Sequence, residues 1–194
     1  MSARGVSAIV LAGGRSSRFG RDKLAEPIDG KALLDHAIDA VRVSADEIIV
    51  VVAPNDGRSV PPGVRLVRDD AAFEGPLAGL LAGLRAAREP VVVVTAGDMP
   101  EVQPAVIEAL LAALAGSGVD AAVLEEAGRS RPLPMAVKRD PATAAAERLI
   151  AGGERRLRAL LEAITTTVIA EADWRVLDSD GRSLHDVDTP DDLP

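Results

Sequence analysis

The chain has no cysteine and no tyrosine, and only one tryptophan, two phenylalanines and two histidines among 194 residues. Without cysteine, disulfides, thiolate zinc sites and a cysteine nucleophile are excluded, and a reducing compartment is expected. His36 and His185 alone cannot build a histidine-rich metal centre. Aromatics at 2% leave the core to Ala, Val, Leu and Ile, small and branched side chains that let helices sit close on a sheet. No signal-type apolar region with a cleavage site opens the chain, and no apolar run approaches the roughly 18 residues of a membrane span. The expectation is therefore a cytoplasmic protein with no membrane partner. Positive charge is scarce as well. A net charge of −8 argues against nucleic acid as a partner, because such binding rests on basic side chains displacing counterions from phosphates. An acidic protein can still hold a nucleotide in a small basic pocket, with a divalent cation between phosphates and carboxylates.

Such a pocket is written into residues 9–23, Ile-Val-Leu-Ala-Gly-Gly-Arg-Ser-Ser-Arg-Phe-Gly-Arg-Asp-Lys. Val6 to Ala12 is an apolar, β-branched-rich run, which reads as a strand covered on both faces. At Gly13 and Gly14 the side chains vanish, so the chain is free to turn with positive φ and to bring backbone N–H groups close to an anion. Arg15, Arg18, Arg21 and Lys23 follow, against the single acid Asp22. Spacing rules out two common loops. From Gly14 to Gly20 is one residue too long for a Walker A loop, and Arg21 follows instead of Lys. Adjacent Gly13 and Gly14 do not supply the Gly-x-Gly-x-x-Gly of a dinucleotide fold.

Further along, Lys31 to Arg42 carries Leu33, Leu34, Ala37, Ile38 and Val41 at helical spacing. His36 lies beside that stripe and reads as a structural helix residue. Glu47 to Ala53 is a second buried strand and Val64 to Arg68 a short third, followed by Asp69 and Asp70. Pro76 opens a helix whose buried face is Leu77, Leu80, Leu81 and Leu84. Gly79 and Gly83 within it each lower helix propensity by about 1 kcal/mol relative to Ala, so close packing should compensate. Pro90 to Ala96 is the strongest strand and ends at Gly97-Asp98-Met99-Pro100. In an open α/β sheet ligands lie outside the carboxyl ends of the strands. Asp98 falls there, and its neighbours favour a metal ligand held on an extended strand tip. A helix over Gln103 to Ala115 and a strand at Ala121 to Leu124 follow, with a polar turn at Gly128 to Arg131. Leu133 to Val137 reads as an edge strand, because Pro134 cannot donate to a ladder. Ala142 to Ile150 and Arg155 to Ile164 read as helices split by Gly152-Gly153, Thr165 to Ala170 as a strand, and Trp174 to Leu177 as a strand pairing nearby. At the end Thr189 reads as a helix N-cap ahead of Pro190. The fold class is α/β, a three-layer, mostly parallel sheet with helices on both faces, in one domain over residues 1–194.

Leu11-Ala12-Gly13-Gly14 through Asp22-Lys23, Gly75-Pro76-Leu77-Ala78-Gly79, Gly97-Asp98-Met99-Pro100, Arg131-Pro132-Leu133-Pro134, Gly153-Glu154-Arg155-Arg156 and Asp188-Thr189-Pro190 together resemble the molybdenum cofactor guanylyltransferases over nearly the whole length. The resemblance implies that Leu11, Ala12 and Gly13 contact the nucleotide, Lys23 its phosphates, Asp70 the nucleoside and Asp98 a magnesium ion. It implies GTP and molybdopterin as substrates, and transient contact with molybdenum cofactor enzymes. Two departures stand out. Ala53 ends the second strand where the family often has Asn, and Asp186 and Asp188 replace the amides of Asn-x-Asn-Thr-Pro.

The implied reaction brings two anions together, so catalysis is positioning and charge neutralisation and needs no covalent nucleophile. Backbone N–H groups at Gly13 and Gly14, with Arg15, Arg18 and Lys23, are placed to hold the triphosphate, and magnesium on Asp98 to bridge its oxygens. Arg129, Arg131, Arg155 and Arg156 are candidates for the pterin phosphate, set against solvated turn and helix charges. Three rivals share the motifs: a cytidylyltransferase for the same pterin, a transferase for a sugar or small phospho-acid, and a nucleotide-binding regulator without turnover.

Overall fold

The structure, a computed structural model, describes residues 5–13, 22–69, 75–116, 118–189 and 192. Gly14, Arg15, Arg18 and Asp70, all expected at the site, lie outside the described residues.

Chain order runs β1 (Val6–Leu11), β2 (Pro27–Ile28), β3 (Lys31–Ala32), α1 (Leu33–Arg42), β4 (Glu47–Val52), β5 (Val64–Arg68), α2 (Pro76–Ala86), β6 (Val91–Ala96) and α3 (Pro104–Leu114). It continues with β7 (Ala121–Glu126), β8 (Arg129–Lys138), α4 (Arg139–Ala151), α5 (Leu157–Ala163), β9 (Thr166–Ile169) and α6 (Glu171–Trp174). Among the described residues seven strands form one sheet in the order β5-β4-β1-β6-β8-β7-β9. β1 pairs in parallel with both β4 and β6, and β4 with β5, while β8 runs antiparallel to both of its neighbours. The carboxyl ends of β5, β4, β1 and β6 therefore open on one edge.

Alternation along the strands divides the core between two faces. Val6, Ala8 and Val10 of β1 and Ile48, Val50 and Val52 of β4 pack with Leu33, Ile38 and Val41 of α1 and Ile107 of α3. Ile9, Ile49 and Val51 face the other way, onto Leu77, Leu80 and Leu84 of α2, with Ala142 and Ala146 of α4 and Leu160 of α5. This gives the expected three layers. The glycines of α2 serve close approach. A Cβ on Gly83 would lie 2.8 Å from Ile9 Cδ1 and 3.1 Å from Val51 Cγ2, so the helix rests directly on β1 and β4 there. Gly79 has ordinary space, its nearest neighbours 3.8 Å away.

Three local expectations change. The helix expected from Lys31 begins at Leu33, because Asp29 (φ 49°) and Gly30 (φ 79°) make a two-residue turn that pairs Lys31–Ala32 with Pro27–Ile28. Residues 133–137 do not form an edge strand. They belong to β8, which lies between β6 and β7 and starts at Arg129, where a turn was expected. Pro134 is accommodated because pairing with β6 covers only Met135–Lys138, and the β7 register jumps from Val123↔Met135 to Leu124↔Arg131. Residues 132–134 thus form a bulge with no ladder bond for the proline to break, and the Leu133–Pro134 peptide is cis. Trp174 begins no strand. It ends the helical turn α6, fully buried, with its indole N–H donating to the Glu125 carbonyl at 2.7 Å.

Candidate active site

At the tip of β1 the Ala12 N–H donates to the Val51 carbonyl at 2.7 Å, and the Leu11 carbonyl accepts from Gly97 N–H at 2.9 Å. These two bonds carry the ladder one step past the strands and fix the tips of β4, β1 and β6 side by side. Ala12 is buried and Leu11 half-buried. Gly13 does not use the positive φ expected of it, and a Cβ there would meet Ala53 N at 3.5 Å, an ordinary contact. Gly97 is the tighter position of the two, since a Cβ would come within 3.1 Å of Leu34 and 3.2 Å of Leu24. Gly97 and Asp98 form a tight turn closed by Met99 N–H donating to the Ala96 carbonyl at 3.1 Å, not an extended tip. Met99 is buried and secures the turn from beneath.

The Lys23 ammonium meets the Asp98 carboxylate at 2.6 Å and donates to the Val187 carbonyl at 2.9 Å, with Asp188 Oδ1 at 3.6 Å. Lys23 is delivered by a short 3-10 turn, Lys23–Ala25, whose N-cap Asp22 accepts from Leu24 N–H. The returning C-terminal segment is pinned by Val187 N–H donating to the Asp98 carbonyl at 2.9 Å. Three oxygens from two distant parts of the chain therefore surround one cation in the crevice between β1 and β6. Next to them Arg131, at the outer end of β8, faces Glu126 at 3.2 Å and Asp186 at 3.8 Å. The tail closes on itself, Asp192 accepting from the Thr189 hydroxyl at 2.9 Å and its N–H at 2.7 Å. The hydroxyl bond first, then the N–H bond, hold the Asp192 carboxyl below the usual carboxylate range. Asp192, three residues on, thus bonds back to the Thr189 N–H in the manner of a capping-box acid, while the Thr189 hydroxyl donates to the same carboxylate.

Other expected residues fall elsewhere. Arg155 donates to the carbonyls of Ile150 and Glu154. It also buttresses Gly75 (φ 94°), where a Cβ would lie 2.9 Å from Arg155 Cβ and 3.0 Å from its carbonyl oxygen. Arg156 forks onto Glu154, and that side-chain contact, followed by the N–H groups of Arg156 and Arg155, drives the Glu154 carboxyl far below its ordinary value. His36 Nε2 bonds the Ile28 carbonyl at 2.9 Å, a structural contact. Two features had no reading in the sequence: the Val187 carbonyl on Lys23, and a pair, Asp56 and Arg58, that reaches Asp22. For Asp188 the Asp-x-Asp-Thr-Pro pattern was a signal, without saying what the acid faces.

A magnesium ion takes oxygen ligands, usually one or two carboxylates completed by waters and phosphates. Among the described residues no three His, Cys, Asp or Glu side chains converge. The Lys23 ammonium itself marks a cation-sized place lined by Asp98, Asp188 and a carbonyl, all hard oxygen donors. The residues present fit the ion.

The Lys23 ammonium and a metal-fitting carboxylate, side by side at the carboxyl ends of a three-layer α/β sheet where such folds take their ligands, fit a nucleotidyltransferase. Known proteins agree. The MobA-like NTP transferase domain matches residues 8–168, and the chain belongs to that family. A probable molybdenum cofactor guanylyltransferase of Chloroflexus aggregans is 37% identical, spanning 97% of this chain and 91% of that protein. The molybdenum cofactor guanylyltransferase of Pseudomonas putida is 40% identical, spanning 88% and 90%. The crystal structure of molybdopterin-guanine dinucleotide biosynthesis protein A from Archaeoglobus fulgidus superposes with a TM-score of 0.80 at 27% identity, covering 96% of this chain and 94% of that one.

Proposed function

We propose that this chain, acting as one domain over residues 1–194, transfers GMP from GTP to molybdopterin and so makes the guanine dinucleotide cofactor. A phosphate oxygen of the pterin attacks the α-phosphorus of GTP, the bond to the β-phosphate oxygen breaks, and pyrophosphate leaves. The observation that carries this reading is the Lys23–Asp98 pair at 2.6 Å between the tips of β1 and β6, in a chain of the MobA-like family. Leu11, Ala12, Gly13, Gly14, Arg15 and Asp70 hold the nucleotide. Arg18 and Lys23 neutralise the triphosphate and the departing pyrophosphate. Asp98, with Asp188 beside it, holds magnesium, which supplies charge neutralisation across the phosphate oxygens when bound. Arg131, already balanced by Glu126 and Asp186, stands at the rim where the acceptor's phosphate approaches.

The substrates are small molecules, and no nucleic acid or membrane takes part. Among the described residues no helix is long and apolar enough to cross a membrane, which supports a cytoplasmic location. Product transfer to molybdenum enzymes is by transient contact. Ala53, whose N–H lies beside Gly13, stands where the family often carries Asn, and this keeps the cytidylyltransferase reading as the second choice. The test is pyrophosphate release from GTP, CTP, ATP and UTP with magnesium and molybdopterin, by the parent and by Asp98→Ala. GTP should be preferred and the variant inactive yet folded. Turnover of the variant at the parent rate would remove Asp98 from the metal site.

A further inference from the structure

Asp56 and Arg58 lie in the connection between β4 and β5, outside the motifs that mark the family, and their geometry is specific. Arg58 Nε sits 2.9 Å from each Asp56 carboxylate oxygen, and Arg58 N–H donates to Asp56 Oδ1 at 2.8 Å. Arg68, at the end of β5, donates to the Asp56 carbonyl at 3.2 Å. The Arg58 side chain is only 17% exposed and that of Asp56 16%. Arg58 is thereby held in one pose, and its Nη2, 2.9 Å from Asp56 Oδ2, also reaches the Asp22 oxygens at 3.3 and 3.4 Å. Asp22 is also the cap of the turn that begins with Lys23. A row of alternating charges, Asp56, Arg58, Asp22, Lys23 and Asp98, thus crosses the tips of β4, β1 and β6.

We infer that Arg58 is a positioning residue for nucleotide binding: it fixes the Asp22 cap, and through it the turn that presents the Lys23 ammonium to the phosphate site. The inference rests on the proposed triphosphate role of Lys23 and adds to it a residue 35 positions away that need not touch the nucleotide. A planar fork suits the task, because its Nε–Nη2 edge satisfies Asp56 while Nη2, which carries two N–H groups, also reaches Asp22, which a lysine ammonium cannot do with the same rigidity.

The test is GTP affinity by calorimetry with magnesium, on the full chain, with melting temperature recorded in parallel. Arg58→Ala should weaken GTP about fivefold, the size of coupling common between residues in one ion-pair network. Asp22→Asn keeps an acceptor for Leu24 N–H but loses the charge that draws Arg58, and should weaken GTP to a similar degree. In a Lys23→Met background the further change Arg58→Ala should have no effect, since the group it positions is gone. A residue that merely stabilised the fold would lower the melting temperature and leave these affinities unmoved. If Lys23→Met weakens GTP while Arg58→Ala and Asp22→Asn do not, the positioning role is refuted and the phosphate role of Lys23 stands. If Lys23→Met itself leaves GTP affinity unchanged, the functional reading beneath it fails. Equal loss from Arg58→Ala with and without Lys23 would also overturn the inference, because Arg58 would then act independently of the ammonium.

Discussion

Replacing Lys23 by methionine should make the nucleotide-free protein bind divalent metal more tightly. The ammonium lies 2.6 Å from Asp98 Oδ2, with the two side chains 15% and 23% exposed. It also faces Asp188 at 3.6 Å, so it is the cation to which both carboxylates are presented. A charge-assisted hydrogen bond contributes about 1.5–3 kcal/mol net, and partial exposure brings this pair toward the lower end. Methionine keeps an unbranched stem of similar length in the crevice while removing the charge. A metal ion entering beside Asp98 then no longer competes with, or is repelled by, a fixed positive charge. A gain of about 1.4 kcal/mol is tenfold in affinity, and the gain should shrink at high salt as the Debye length falls. Manganese is the probe, its free fraction read by electron paramagnetic resonance without nucleotide. With GTP present the order should reverse, because the triphosphate then loses its lysine. Manganese affinity of the nucleotide-free variant equal to or below the parent's would refute the reasoning, and a gain that survives Asp98→Ala would place the metal elsewhere.

Glu47, at the end of the sheet away from the site, provides a pH test of stability. Burial works to raise its carboxyl, but the Arg88 N–H, the Ser7 hydroxyl and Arg65 outweigh it, and the group titrates below its ordinary value. A lowered folded pKa gives stability that is present above the unfolded value near 4.5 and is lost as pH falls through the folded one. Glu47→Gln should therefore cost about 1–2 kcal/mol at pH 7 in urea unfolding, and progressively less as pH falls below the unfolded value and through the lowered folded one; a difference that stays constant as the pH is lowered would contradict this. Gly83→Ala should gain about 1 kcal/mol of helix propensity but lose more to the 2.8 Å overlap with Ile9, for a net loss of about 1–2 kcal/mol. A more stable variant by calorimetry would show that α2 can lift from the sheet at no cost. Gly75→Ala combines positive φ with a 2.9 Å clash on Arg155, and should lower the melting temperature by several degrees, about 1–3 kcal/mol of strain; an unchanged melting temperature would mean that the loop shifts freely.

The parts of this molecule that a linear reading reaches are those set by local pattern. β1 and β6 announce themselves as β-branched runs, α2 by Pro76 and its leucine spacing, and Asp98 by standing at the end of a central strand. Pro134 misled for a physical reason: a proline cannot donate to a ladder, and the inference of an edge strand overlooks that a bulge also removes the need to donate. The hairpin Pro27–Ala32 was hidden because its strands are two residues each, too short for any period. Trp174 sits where a β-prone residue suggests a strand, yet its indole N–H seeks the Glu125 carbonyl, a partner 49 residues away. The same holds for the crevice. Lys23 and Asp98, 75 positions apart, could each be picked from motif chemistry, whereas Arg58 on Asp22 depends on how the β4–β5 connection brings the two together. Local pattern finds the charged groups, and the sheet order decides which of them meet.

The most direct measurement is the anomalous scattering of manganese in crystals grown with GTP. The account predicts one nucleotide in the crevice between β1 and β6, manganese in direct contact with an Asp98 oxygen, and the Lys23 ammonium on a phosphate. Nucleotide bound elsewhere on the molecule, or manganese with no contact to Asp98, would contradict it.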